Sequence, residues 1–329
     1  MKKKITVLIL SAMLCALCGS VDAQQSGKIF RIGFLDNSTA SGSAVLLDAF
    51  RQELSKLGWV EGKNITIEYR SAEQKNERLP ELAADLVRLK LDLIVATGGP
   101  TPLAAKGATS IIPIVMTSIA DPMGAGLVAS LARPGGNLTG NSSLAPELIT
   151  KRLEILKDAI PRLSRVGLLF LRSGLGDLQT KDLSATAVAL KLKLEEIEID
   201  NQPDAKGLES AFKTAKQKQV GAIMTTQGRR FQAERKRIVE LAGKYRLPAI
   251  YFQKEFIDEG GLMSYGADYE DLYRRAAVYV DKILKGAKPA DLPVQQATKF
   301  EFVINLKAAK QIGLTIPPRV LERANQVIK

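Results

Sequence analysis

The sequence predicts an α/β protein of two similar lobes, each a parallel sheet flanked by helices. Three observations carry this. Short apolar runs rich in Val, Ile and Leu alternate with longer stretches whose apolar residues recur at helical spacing. The connections are short and marked by Gly, Pro, Asn or Asp, as in strand–helix–strand units. The cycle also breaks near residue 142 and starts afresh.

In the first lobe, residues 28–35 form the opening strand, which ends in a polar loop at 36–42. Leu46, Leu47, Phe50, Leu54 and Leu57 share one face of a helix over 43–57, and Gly58 stops it. Residues 64–69 alternate as a strand, and Asn76-Glu-Arg-Leu-Pro80 opens a helix running to 89. A third strand, 92–96, passes through a tight turn at 97–100 into a helix from about Thr101. The fourth, 114–116, is preceded by Pro113 and carries Ser118 to Asp121 beyond its end. A helix is expected over 124–131, after which Arg133-Pro-Gly-Gly-Asn137 turns the chain into 138–142.

The second lobe repeats the plan. A helix over 147–160 leads to a strand at 165–171 and a helix at 180–192. Strands at 194–199, 222–224 and 248–251 are separated by helices at 205–218 and 230–245. After Gly260-Gly261 come residues 262–266, a long helix over 269–284, a strand at 300–305 and a helix at 306–312. A terminal helix is expected beyond Pro318.

The amino terminus has another character. Three lysines follow Met1, an apolar run extends from Ile5 to Leu17, and Val21-Asp-Ala23 precedes Gln24. This is the layout of a secretory signal peptide, so residues 1–23 are expected to be removed and the mature protein to be periplasmic. Leu17 before Cys18 does not suit a lipoprotein signal. Both cysteines, Cys15 and Cys18, fall in the leader, so the mature chain has neither thiol nor disulfide. No later stretch approaches the ~20 apolar residues of a membrane span.

Composition narrows the chemistry. The net charge is +12, and removing the leader's three lysines and Asp22 leaves +10. Basic residues are interleaved with acids, as in Arg51-Gln-Glu53 and Glu234-Arg-Lys-Arg237, with no basic stripe carrying aromatics. They read as solvated helix faces, and no nucleic-acid partner is expected. The chain contains no histidine. With no mature cysteine either, the usual zinc sites and histidine-based triads are excluded. No Walker loop and no GxGxxG after a strand is present, so no cofactor and no metal are expected. Pairs such as Glu195-Glu196 and Asp258-Glu259 sit on surface-type segments.

The stretch with most potential for binding is 93–106. Gly98 and Gly99 permit close approach of a ligand, and Thr101-Pro102 suits the N-cap and first position of a helix. Such a helix start attracts a carboxylate, and it would lie at the carboxyl end of a parallel strand, where open α/β sheets bind ligands. An ordinary strand-to-helix turn explains the same residues equally well.

Several motifs go further. They are Phe50-Arg-Gln-Glu-Leu with Leu57-Gly-Trp-Val-Glu-Gly62, Arg78-Leu-Pro-Glu-Leu-Ala, Asp121-Pro-Met-Gly-Ala-Gly-Leu-Val128 and Leu131-Ala-Arg-Pro-Gly-Gly-Asn-Leu-Thr-Gly140. Gly261-Leu-Met-Ser-Tyr-Gly266, Asn305-Leu-Lys-Ala-Ala-Lys and Gly313-Leu-Thr-Ile-Pro317 complete the set. In this order and spacing the chain resembles the bacterial ABC-transporter substrate-binding proteins of the type I periplasmic binding fold. The subgroup is the one with receptors for tryptophan and other aromatic amino acids. The resemblance implies two Rossmann-like lobes joined by a three-crossover hinge and a small-molecule ligand trapped in the cleft on closure. It also implies an ABC permease of the inner membrane as partner, a monomer, and no catalysis. The crossovers are expected near 142–144, 262–266 and 289–293. Lobe I would then comprise 28–142 plus 266–290, and lobe II 143–265 plus 291–329.

Candidate ligand contacts follow from strand ends under that arrangement. They are Asn37 and Ser38, then Thr97, Gly98, Gly99 and Thr101, and then Ser118 and Asp121. Asn141, Ser142, Ser173, Gln227 and Tyr265 come from the hinge and second lobe. For an amino acid ligand, the 97–101 turn would hold the carboxylate and Asp121 the ammonium. Asp121 also reads as an N-cap for the segment near Gly124, and both roles are compatible. Tyr265 reads either as a stacking or hydrogen-bonding contact or as core; Trp59 reads as structural. Arg172-Ser-Gly-Leu-Gly176 and Thr225-Thr-Gln-Gly-Arg229 depart from the Asn-Pro and acidic loops of many relatives. That departure favours a more anionic ligand and leaves tryptophan itself uncommitted. The alternatives are an extracellular sensor signalling through a membrane partner, and a secreted enzyme, which the absent histidine and cysteine disfavour.

Overall fold

The computed structural model describes residues 28–171, 180, 182–199 and 204–329. The leader and Ser173, with the 172–176 loop, lie outside the described residues. The first sheet has the order β11-β5-β4-β3-β1-β2 and is parallel throughout. Its strands are β1 (Phe30–Asp36), β2 (Ile65–Ser71), β3 (Leu93–Thr97), β4 (Ile114–Ile119), β5 (Leu138–Ser142) and β11 (Gln295–Gln296). Helices α1 (Ala40–Lys56), α2 (Leu79–Arg88) and α3 (Pro100–Ala108) connect them.

Both faces of this sheet are covered, which is why its central strands read as unbroken apolar runs. Ile94 and Ala96 of β3 pack with Leu82 and Leu86 of α2 on one face. Leu93 and Val95 pack on the other face with Phe50 of α1 and Tyr273 of a later helix. Thr39 caps α1 by accepting from the Gly42 N–H at 3.1 Å.

The second sheet has the order β13-β12-β10-β9-β8-β6-β7. It comprises β6 (Arg165–Leu171), β7 (Lys193–Ile199), β8 (Ala222–Thr225), β9 (Ala249–Tyr251), β10 (Met263–Ala267), β12 (Phe300–Asn305) and β13 (Gln326–Ile328). Its helices are α4 (Ala145–Ala159), α5 (Leu183–Ala189), α6 (Ala205–Gln217), α7 (Arg229–Ala233), α8 (Arg235–Lys244) and α9 (Glu255–Asp258). The long helix α10 (Tyr269–Leu284) packs instead on α1 and β4 of the first lobe. Short helices α11 (Leu306–Gln311) and α12 (Pro318–Leu321) finish the chain before β13.

Four expectations change. No helix forms over 124–131: the segment closes as turns, with Leu127 N–H on the Pro122 carbonyl and Gly126 in the left-handed region. Glycines at 124 and 126 remove the propensity a helix there needs. The terminal helix is a single turn, and Gln326–Ile328 instead pairs parallel with β12. The second sheet is mixed, because β10 and β12 pair antiparallel. Finally, Gln295–Gln296 pairs with Asn141 and Ser142 of the first sheet. The third passage between the sheets therefore falls at residues 297–299, later than 289–293. The second falls after β10, at Asp268. Trp59 is structural, with Nε1 donating to Asp281 Oδ1 at 2.9 Å and its ring edge-on to Phe30.

Candidate functional site

In both sheets the order of the first strands is 2-1-3, so each has a point where the winding reverses. Ligand crevices form beyond strand carboxyl ends at such points. Here the two crevices face each other and form one cleft of about 150 Å3, a volume that holds a benzene-sized body. The first lobe contributes Asn37 beyond β1, Gly98 to Pro100 beyond β3, and Ser118 to Asp121 at the end of β4. The second contributes Leu171 from β6, Thr226 to Arg230 beyond β8, and Phe252 and Gln253 beyond β9. Tyr269 lines it at the second crossover.

The lobes touch across this cleft. Arg229 Nη2 donates to the Tyr273 hydroxyl at 2.5 Å, and Arg230 Nη2 to the Gln74 carbonyl at 3.1 Å. Gln227 Nε2 donates to Ser143 Oγ, at the first crossover, at 2.9 Å. The arrangement is a closed one.

The candidates from the sequence divide into wall and support. Asn37, Gly98, Gly99, Ser118, Asp121 and Gln227 are on the wall. Asn37 is only 5% exposed, and its Oδ1 is buried with no hydrogen-bond partner. Asp121 Oδ1 accepts from the Gly124 N–H at 2.9 Å, so the same carboxylate borders the cleft and fixes the following turn.

The others lie behind the wall. The Ser38 N–H donates to Asp36 Oδ1, and its carbonyl accepts from Ser71 Oγ. Thr97 is wholly buried at the end of β3. Asn141 Nδ2 donates to the Leu272 carbonyl at 3.1 Å and ties α10 to β5, while Ser142 Oγ donates to the Ala120 carbonyl. Tyr265 stacks on Phe300 and meets Phe302 edge-on, as a packing residue. Of its two readings the structure therefore takes the core one, and Tyr269 lines the cleft instead.

Thr101 is the sharpest correction. The helix begins at Pro100 with Gly99 as its cap, because proline's fixed φ suits the first helical position. Thr101 is therefore inside the first turn, where its hydroxyl donates back to the carbonyls of Thr97 (2.7 Å) and Gly98 (3.2 Å). Pro100 and Pro102 also carry no N–H, so this helix start offers an anion fewer donors than its position implies.

Arg229, Phe252, Gln253 and Tyr269 are among the wall residues the sequence did not commit to. The strand-end rule would have found Phe252 and Gln253, which directly follow β9. Burial pushes the Arg229 guanidinium down, but Tyr273, Asp36 and Tyr269 more than offset it and hold the group charged. Among the described residues no carboxylate lies within 4.0 Å of that guanidinium. Behind Tyr269, Arg152 is wholly buried. Its Nη1 donates to the Tyr265 carbonyl at 3.2 Å, and its Nε and Nη2 have no partner. Burial lowers its pKa to about 10. Burial likewise raises the Tyr269 hydroxyl, against the pull of Arg229 and Arg152.

A two-lobed α/β chain whose facing strand ends enclose a small-molecule-sized cleft, closed by contacts between lobes, defines a solute-binding protein of the periplasmic binding type. The chain belongs to the ABC transporter substrate binding protein family, whose profile matches residues 41–328. It is 27% identical over 266 residues to a tyrosine-binding protein of Clostridioides difficile (strain R20291), covering 80% of this chain and 75% of that one. Among solved structures it resembles a conserved domain protein from Vibrio cholerae (TM-score 0.84, 28% identity, 91% of this chain and 100% of that one). It also resembles an ABC domain in complex with L-Trp from Streptococcus pneumonia (TM-score 0.80, 28% identity, 90% and 100%).

Proposed function

We propose that this substrate-binding protein captures an amino acid, or a closely related carboxylate, and delivers it to an ABC permease of the inner membrane. In this reading the mature protein works in the periplasm after loss of residues 1–23, as a monomer, and performs no chemistry on its cargo. The observation that carries the ligand class is the pairing of opposite charges on one small cleft, Asp121 on the first lobe and Arg229 on the second. A zwitterion complements both. Phe252 and Tyr269 add apolar ring surface for a side chain. The tyrosine-binding relative and the L-Trp complex support the same class.

Closure follows from the geometry. A ligand bound to one lobe leaves the opposing wall in water; with contacts on both, it favours the closed form by its differential affinity. The test is a thermal-shift and calorimetric screen of ligand-stripped protein against amino acids, dicarboxylates, aromatic acids, sugars and nucleosides. A ligand at ~100 times its Kd adds about 2.7 kcal/mol of stability. Binding of one or a few amino acids or related acids is expected, whereas stabilisation by sugars or nucleosides alone would refute the assignment.

A further inference from the structure

We infer that Arg229 is the second-lobe half of a carboxylate clamp, which seats the ligand's carboxylate between its guanidinium and the Gly98-Gly99 turn. The inference rests on the amino acid or carboxylate reading above and adds the residue that enforces it.

Three observations meet at this point. Arg229 arrives from the second lobe and lies directly over the first-lobe turn: a carbon added at Gly98 would be 3.8 Å from its Cγ and 3.9 Å from its Nε. Gly98 itself is in the left-handed region (φ +87°), so the backbone there is shaped for close approach rather than for a side chain. The guanidinium lines the cleft with one donor on Tyr273; Asp36 attracts it from a distance, and no described carboxylate lies within the 4.0 Å of a direct ion pair. A charge so placed calls for an anion, and the planar fork of an arginine suits a carboxylate.

The helix start alone does not meet that need. Pro100 and Pro102 remove two of the donors a helix amino terminus normally offers, leaving its dipole with few N–H groups behind it. Arg229 supplies donors where the prolines took them away. Beside the clamp, Asn37 Oδ1 is buried without a donor, and its Cβ lies 3.9 Å from the same Gly98 position. It is an acceptor for the ammonium carried next to the carboxylate. Because the clamp's halves belong to different lobes, engaging the carboxylate and closing the cleft are one event.

The experiment compares acids with their own neutral amides. Wild type, Arg229→Met and Arg229→Lys are titrated with the twenty L-amino acids, C4 to C6 dicarboxylates and aromatic monocarboxylates. The carboxamide of each acid that binds is then measured on all three proteins. Wild type should prefer the acid to the amide by about 100-fold or more, in line with a charge-assisted bidentate pair. Arg229→Met should bring the two within a few-fold of each other, and Arg229→Lys should fall between. If Arg229→Met weakens acid and amide equally, Arg229 only latches the lobes through Tyr273 and the clamp is overturned. If it keeps the full preference for the acid, the carboxylate sits elsewhere and the clamp is again overturned, while the ligand class stands. A panel in which no carboxylate binds wild type overturns both. Circular dichroism and the ligand-free melting temperature of each variant establish that the fold is intact.

Discussion

Adding one methyl group at Gly266 should cost far more than adding the same group at Gly107. Gly266 is in β10, and a Cβ there would meet the Phe252 carbonyl oxygen at 1.9 Å. That atom belongs to the backbone, so no side chain can swing aside. Restoring an ordinary contact means parting the Phe252 segment from β10 by about 1.5 Å, enough to break ladder hydrogen bonds worth roughly 1 kcal/mol each. Two or three such bonds plus overpacking give about 3–5 kcal/mol for Gly266→Ala, or a fall in Tm of roughly 5–8 °C for a chain this long. Because Phe252 and Gln253 line the cleft, ligand affinity should fall as well. Gly107, inside α3, has nothing within 4 Å of its added carbon. Gly107→Ala should therefore raise stability by about 0.5–1 kcal/mol through helix propensity alone. Paired thermal and urea unfolding of the two variants measures both effects. A Gly266→Ala protein with wild-type Tm and affinity would refute the argument from backbone contact.

Three other predictions follow from the same geometry. Asp121→Asn should weaken an amino acid ligand by tenfold or more, measured by calorimetry, with Tm nearly unchanged, because asparagine keeps an acceptor for the Gly124 N–H; undiminished affinity would leave Asp121 only its turn. Thr101→Val should cost about 1 kcal/mol by removing the bonds to Thr97 and Gly98 without altering ligand affinity, and a large loss of affinity would restore Thr101 to the ligand contacts. In alkali, burial raises Tyr69 and Tyr279 from the ordinary 10 to about 12 and pushes Tyr251, Tyr269 and Tyr273 up as well. The folded state then holds more protons than the unfolded one between pH 10 and 12, so stability falls across that window. Tyrosinate absorbance should appear together with loss of circular dichroism; tyrosines titrating near pH 10 in an intact fold would refute this.

What the sequence by itself determined was periodic. Strands buried on both faces, such as β3 and β4, open on unbroken apolar runs (93–96 and 114–116), and amphipathic helices such as α10 must carry a stripe. Those constraints are local and legible, as are the break after β5 and the strand ends that became cleft wall at Asn37, Gly98, Ser118, Asp121 and Gln227. What only the tertiary structure decided depends on residues far apart in the chain. Gln295–Gln296 joined the first sheet because Asn141 and Ser142 offered an edge to pair with. Tyr265 turned into the core onto Phe300 and Phe302, and Tyr269 took the cleft. Arg229 became part of the site because lobe closure brings it over Gly98, some 130 residues earlier. No periodicity records a meeting across a cleft: it depends on where two separately folded sheets come to rest against each other.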